Sequence, residues 1–368
     1  MSDRPLRILH LTLGADAGGL SQYIIELGSA MIAQGHEISV AGDTGAWQWA
    51  FDESPLKYIQ IPLKGNWLSF RKSARILRDY LRDNPVDVLH THYRRATLLG
   101  RRLQSHRTPP VIYTLHLSHL SLKFPRNLFS DFGDISHVAS LEARDWLTRD
   151  AHIPQDKIRF IPHGIDLARY TPTSREQRSD ARRQLKLNDT DRVAVFVGRY
   201  DYPKNVDWLI DLAASSSEIL PNLKIFLVGE GPEAPDLRLR IATENLFDRV
   251  FITDYQDPLP YYRAADALLL PSLREGFSFV CAEAMATGIP ALRTRTSGTR
   301  ELILENTTGR SVPIDHDAFI DASISFLRDV DELRRMGADA AEHVRKNFSF
   351  DLQLSRTLDL YRSITTLG

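Results

Sequence analysis

Two successive series of apolar runs, each run separated from the next by an amphipathic stretch, constrain this chain more than any other feature. The first series reads "RILHLTL", "HEISVAG", "VDVLHTH", "VIYTLH" and "ISHVAS", with helix-like segments such as Ser21 to Gln34 and Phe70 to Asp83 between them. Strands separated by helices return to the same edge and pair in parallel, so the pattern predicts a doubly wound α/β sheet. A polar, charge-rich stretch, "TSREQRSDARRQLKLNDTD", interrupts the pattern, which resumes with "RVAVFVGR", "LKIFLVGEG", "VFITDY" and "ADALLLPS". The expected organisation is a first domain over residues 1–170, a second over 171–345, and a C-terminal helix over 346–368 that packs back on the first. The whole stretch from Asp331 to Thr366 reads as helical.

A length of 368 residues is enough for two separate cores. The formal net charge of -1 argues against a nucleic-acid partner, although the first 170 residues carry about +4 and the rest about -5. Ten of the twelve histidines lie in that first half. A single cysteine, Cys281, excludes an intrachain disulfide framework and a cysteine-based zinc site, which fits a reducing compartment. The N-terminal "MSDRPLRILHLTL" has no long apolar region and no run approaches 18 apolar residues, so the expected localisation is cytoplasmic. One segment, "NWLSFRKSARILRDYLRD", mixes Trp67, Phe70 and Leu77 with Arg71, Lys72, Arg75 and Arg78. It reads either as a sheet-packing helix with a solvated face or as a peripheral contact, through residues 67–83, with the inner face of the cell membrane.

Two loops carry the chemistry. In "LREGFSFVCAE" a buried strand turns into a short helix, with Ser278 as the expected N-cap, Gly288 and Pro290 as the stop, Glu275 in the turn and Glu283 inside the helix. In "VFVGRYDYPKNVDWL" a strand ends at Val197 and presents Arg199 and Lys204 before the next helix, a pair of cations suited to a diphosphate. Open α/β sheets bind ligands outside the carboxyl ends of their strands, so both loops belong to one edge. A ligand with phosphates and hydroxyls suits that mixture of charges.

These stretches, with "GGLSQYIIELGSAMIAQGHEISV" and "TRELI", occur in the order seen in the retaining glycosyltransferases of family 4, and the chain resembles that family over nearly its whole length. The E-x7-E motif in its E-G-F context and the G-R-x4-K motif are the specific parts. The resemblance implies the GT-B fold: two Rossmann-like domains facing across a cleft that closes by a hinge motion. It further implies that Arg199 and Lys204 bind the donor diphosphate, Glu283 the ribose hydroxyls and Glu275 the transferred sugar. The Gly276, Phe277, Ser278 and Phe279 backbone would lie against sugar and phosphates, and the Gly18 and Gly19 loop would approach the donor from the first domain. "YTLHLSH" makes His116 the expected contact near the anomeric carbon, with His90, His92 and His119 as competitors.

The implied activity is retaining transfer of a hexose from a nucleotide sugar, such as UDP-glucose or UDP-N-acetylglucosamine, to a hydroxyl acceptor on a glycan or lipid-linked glycan. A nucleotide-sugar epimerase of the same fold and a non-catalytic nucleotide-sugar-binding regulator are the rival readings. No cofactor or metal is expected, because Asp189 and Asp191 precede a strand and Asp315 and Asp317 lie past the core. The chain departs from the family pattern at Thr253, at Ser278, and at Ser297 with Gly298 in place of a double glycine.

Overall fold

A computed structural model of the protein describes residues 4–16, 18–104, 109–116, 122 and 130–365. The chain forms two compact units, Met1–Pro162 with Gln353–Gly368, and His163–Leu352.

The first unit runs β1 (Arg7–Gly14), α1 (Gly19–Ala33), β2 (Glu37–Asp43), α2 (Gln48–Asp52), β3 (Lys57–Gln60), α3 (Trp67–Asp83), β4 (Val88–Thr91), α4 (Arg94–Leu103), β5 (Val111–Leu115), β6 (Ile135–Val138), α5 (Leu141–Arg149) and β7 (Ile158–Phe160). Its strands pair in parallel in the order β3-β2-β1-β4-β5-β6-β7. All four residues of β4 and all five of β5 are buried, as expected of strands covered on both faces. Asn66 starts α3 by accepting from the Ser69 N–H, and Phe70, Ala74 and Leu77 then join Leu9, Leu63 and Leu89 in the core. The strand order reverses between β1 and β4. Chain leaving these two strands therefore diverges and opens a crevice at their carboxyl ends, where Gly18, Gly19 and His92 stand.

The second unit runs α6 (Arg175–Gln184), β8 (Arg192–Val197), α7 (Asp207–Ser215), β9 (Leu223–Val228), α8 (Ala234–Thr243), β10 (Val250–Thr253), α9 (Leu259–Ala264), β11 (Ala267–Leu270), α10 (Phe279–Ala286), β12 (Ala291–Thr294), α11 (Thr299–Leu302), β13 (Gly309–Val312), α12 (His316–Arg328) and α13 (Val330–Asn347). Its parallel sheet is ordered β10-β9-β8-β11-β12-β13, with the reversal between β8 and β11. Both charged loops of the sequence follow these two strands. Helix α10 stops as its residues require: Gly288 takes φ 90°, its N–H bonds the Met285 carbonyl at 3.0 Å, and the Ile289 N–H bonds the Ala284 carbonyl at 3.3 Å.

The helical C-terminal stretch resolves into α13 and a separate α14 (Phe350–Thr365), broken where Ser349 pairs with Ile165. From Gln353 onward α14 belongs to the first unit, and its buried Tyr361 hydroxyl lies 2.6 Å from His90 Nδ1. Among the described residues no helix is long and apolar enough to cross a membrane.

Candidate active site

In the second unit two backbone-anchored loops set one ion pair. The Leu273 N–H bonds the Pro203 carbonyl at 2.7 Å and Asn205 Nδ2 donates to the Pro271 carbonyl at 3.2 Å, tying the loop after β8 to the loop after β11. Across that tie Lys204 Nζ lies 2.7 Å from Glu275 Oε1, which also accepts the Ser272 hydroxyl at 2.7 Å. The Lys204 and Glu275 side chains are only 24% and 10% exposed, so their attraction is less screened than that of a surface pair. An ammonium has three donors, and Glu275 takes one. Arg199 stands differently, 71% exposed with Nη2 2.8 Å from Asp201 Oδ2. An exposed pair of this kind is held weakly, and a guanidinium has donors to spare for a phosphate.

Glu283 projects from α10, where Oε2 accepts the Tyr262 hydroxyl at 3.1 Å. Burial and the adjacent Glu283 carboxylate hold the Tyr262 phenol well above its usual range, so it stays a donor. Phe277 and Ser278 are buried, Phe277 against His163 and Phe348, which fixes the turn from Gly276 to Phe279 at the start of α10. Ser278 sits at the N-cap of α10, but its hydroxyl makes no cap bond and is buried without a partner, contrary to the expected side-chain cap. Gly298 is left-handed at φ 81°, and a Cβ there would meet the Gly276 carbonyl oxygen at 2.6 Å, so this position requires glycine. Its neighbour Ser297 is not among the positive-φ residues, which is why serine is tolerated there. Cys281 is fully buried and its thiol is pushed up to about 11 by that burial, so it is no nucleophile.

In the first unit Gly18 and Gly19 are exposed at the start of α1, where Gly18 brings no side chain to cap the helix. The N–H groups of that first turn suit an anion. His116 is half-buried at the end of β5, with Nε2 3.1 Å from His92 Nδ1. His119 lies outside the described residues. His10, His90 and His92 bring ring nitrogens within 4.8 Å of one another, the one group of metal-ligating type among the described residues. Hydrogen-bond direction argues against a metal there. His137 Nε2 faces the Ile161 carbonyl at 2.9 Å and must donate, leaving Nδ1 to accept from the Thr114 hydroxyl at 2.8 Å. That hydroxyl then accepts from His90 Nε2 at 2.5 Å, and His90 Nδ1 is left to accept from Tyr361. The lone pair a metal would need on His90 is already taken.

The family model of Glycosyltransferase Family 4 matches residues 17–169, and that of Glycosyl transferases group 1 matches residues 177–343, so together they take up most of the chain. The chain belongs to glycosyltransferase family 4. This family 4 chain is 28% identical over 393 residues to the D-inositol 3-phosphate glycosyltransferase of Corynebacterium efficiens, across 95% of this chain and 92% of that protein. Among solved structures, HepE of Anabaena in complex with UDP superposes with a TM-score of 0.85 at 19% identity, covering 97% of this chain and all (100%) of that one. Sucrose-phosphate synthase of Thermosynechococcus elongatus gives 0.79 at 23%, over 98% of this chain and 100% of that one. These likenesses show the GT-B fold of this glycosyltransferase, each unit a Rossmann-like parallel sheet. Sequence reasoning missed Ser272, Asp201 and Tyr262. Each reads in sequence as an ordinary loop or core residue, and only its partner gives it a place beside Glu275, Arg199 or Glu283.

Proposed function

We propose that this glycosyltransferase moves a hexose from a UDP-sugar to a hydroxyl acceptor with retention at the anomeric carbon. The observation that carries the reading is the Lys204–Glu275 pair at the carboxyl ends of β8 and β11, beside the N-terminus of α10. Lys204 and Arg199 grip the diphosphate, Glu275 holds hydroxyls of the transferred sugar, and Glu283, oriented by Tyr262, accepts from the ribose hydroxyls. The Gly276, Phe277, Ser278 and Phe279 backbone lines the sugar and phosphates. From the first unit, Gly18 and Gly19 approach the phosphates, and His116 stands beside the acceptor and the reacting carbon. A nucleotide-sugar donor is supported by the Anabaena HepE structures, solved with UDP and with UDP-glucose.

Charge that develops on the departing diphosphate is stabilised by the two cations and the helix N-terminus, at about 3 kcal/mol per donor group. That supply makes a metal unnecessary. The departing phosphate oxygen removes the acceptor proton on the same face, so no enzyme nucleophile is assigned. The protein works in the cytoplasm, and α3 offers a peripheral membrane contact for a lipid-linked acceptor. Trp67 and Leu68 are 64% and 71% exposed at its start, and Arg71, Lys72 and Arg75 are exposed along it.

A released-nucleotide assay with UDP-, GDP- and ADP-sugars, run with and without glycan acceptors, tests the reading. Steady UDP release that depends on acceptor is expected, with product anomers identified by NMR. Interconversion of the donor sugar without nucleotide release would replace transfer by epimerisation. Donor binding with no consumption would leave a regulator.

A further inference from the structure

The second unit carries a cavity of about 610 Å³ at the sheet edge opposite its charged loops. Ala265 and Asp266, just before β11, and Ile289, two residues before β12, stand in its wall. The cavity therefore lies at the amino ends of those strands, whereas the charged loops leave the carboxyl ends. Tyr170, Ala286, Ile289, Leu333 and Ala341 give it a buried, largely apolar floor. Its charged lining is unequal: four arginines, Arg178, Arg263, Arg334 and Arg345, against Asp266 and Glu342. Arg178 engages Asp266 at 2.7 Å and Arg345 engages Glu342 at 2.8 Å, so the excess falls to Arg263 and Arg334. A volume in this range, an apolar floor and a few charged groups are what a small-molecule site presents. An excess of guanidinium selects an anion.

Helix α10 links this cavity to the proposed donor site. It begins at Phe279, just after the Glu275 turn, and carries Glu283 in its middle; its far end, from Ala286 to Gly288, lines the cavity about 12 Å along the axis. A second link is Tyr170, which lines the cavity and is 7% exposed. Its ring centroid lies 6.2 Å from that of Tyr262, whose hydroxyl donates to Glu283 at 3.1 Å. Burial and the Glu283 carboxylate hold the Tyr170 phenol above its usual range, so that carboxylate is within electrostatic reach of it. Thr173, also in the wall, donates its N–H and its hydroxyl to the Thr287 carbonyl at 2.9 and 3.0 Å. The segment that carries Tyr170 is thereby pinned to the end of α10.

We infer that this cavity binds a small amphipathic anion, an apolar chain ending in a phosphate, and that its occupancy tightens donor binding through Tyr170, Tyr262 and Glu283. The binding half stands on the cavity alone; the regulatory half rests on the proposed place of Glu283 at the ribose. A phosphate monoester carries about two negative charges at neutral pH, which matches the excess of four arginines over two acids. The chain lies over Ile289, Leu333 and Ala341, and the head meets Arg263. A ligand packed on Tyr170 restricts that ring, so less conformational freedom is lost when Tyr262 and Glu283 take the nucleoside. The linkage is reciprocal, and UDP tightens the anion by the same factor.

Calorimetric titration of the full-length protein with decyl phosphate, kept below its micellar concentration, tests the cavity, with decanol and inorganic phosphate as controls for chain and head. A single saturable site is expected, and each control should bind at least about tenfold more weakly, the scale of one lost charge-assisted bond. Arg263→Glu should weaken decyl phosphate by at least about tenfold and leave decanol unchanged. Ala338→Trp, at an exposed position of the cavity lining, should block both. No saturable binding to the parent, or binding undiminished in both folded variants, overturns the site. With decyl phosphate bound, UDP should bind at least about fivefold more tightly. Tyr170→Leu should keep decyl phosphate binding and lose that gain. Decyl phosphate bound as stated with UDP affinity unchanged overturns the regulatory half and leaves the cavity site standing. A parent that binds no UDP at all contradicts the donor reading instead, and the decyl phosphate titration still decides the cavity.

Discussion

Lys204 Nζ and Glu275 Oε1, 71 residues apart in sequence, meet at 2.7 Å, and the meeting joins the two motifs that the sequence presents separately. A cation assigned to phosphate and an acid assigned to sugar are thus one electrostatic unit, with Ser272 as its third member. Removing either charge leaves the other partly buried without compensation.

Lys204→Ala and Glu275→Gln are each expected to lower kcat/KM by about 100-fold, the scale of losing one preorganised donor. The double variant should fall well short of the product of the two losses, a coupling of about 1 kcal/mol or more. Arg199→Ala, which breaks only an exposed pair, should leave thermal stability unchanged while reducing transfer. Strictly multiplicative losses in a steady-state double-mutant cycle would separate the two residues.

Glu283→Gln and Tyr262→Phe should weaken binding of free UDP as well as of the UDP-sugar, since the proposed site places both at the ribose end. Glu275→Gln should weaken the UDP-sugar far more than UDP. Calorimetric titration of each variant with both ligands checks this, and equal losses for both ligands in every variant would contradict the division of labour.

Activity is expected to survive treatment with excess EDTA, because Lys204, Arg199 and the α10 N-terminus face the leaving group in the proposed site. Loss of turnover on chelation, restored by magnesium or manganese, would require a carboxylate site elsewhere.

The protein should be unusually labile in mild acid. His10 titrates at about 3 and His137 at about 4 in the folded chain, against 6.5 for a free imidazole, with burial as the first cause. Their folded-state values are depressed, so this stability is fully present above pH 6.5 and is lost as pH falls toward 4 and 3. In that window each ring reduces stability by about 1.4 kcal/mol per pH unit, because only the unfolded chain takes up the proton. Urea midpoints measured from pH 8 to pH 4 should decline from about pH 6.5 downward. A midpoint constant down to the carboxylate range near pH 4 would show that these rings are not buried as described.

If the acceptor is lipid-linked, reversing Arg71, Lys72 and Arg75 to glutamate should reduce sedimentation with anionic liposomes and leave UDP affinity unchanged. These side chains lie on the exposed face of α3, away from Phe70 and Leu77 in the core. Parent protein that stays in the supernatant points to a soluble acceptor.

Much of this molecule is legible in its residues because the parallel α/β sheet is a strong rule. Once "RVAVFVGR" and "ADALLLPS" read as strands of one such sheet, Arg199, Lys204 and Glu275 must emerge at the same edge. The stop of α10 at Gly288 followed from local chemistry alone. Other features escaped because they depend on register between strands. His92, weighed only as a competitor of His116, is its hydrogen-bonding neighbour, and His90 faces Tyr361 from a helix 271 residues further along. Ser278 has the right identity and position for a cap, yet its hydroxyl is turned into the protein and makes no cap bond.

Residue order and type alone set the alternation of strands and helices, the two units, the sheet edge at which the charged loops stand and the residues those loops carry, because hydrophobic period and turn chemistry act over a few residues at a time. Tertiary structure alone decided which of those residues touch: Lys204 with Glu275, Tyr262 with Glu283, and His10, His92 and His116 in one row. The physical reason is that strand order, register and rotamer bring together side chains tens to hundreds of residues apart. No local preference specifies an angstrom-scale contact between them.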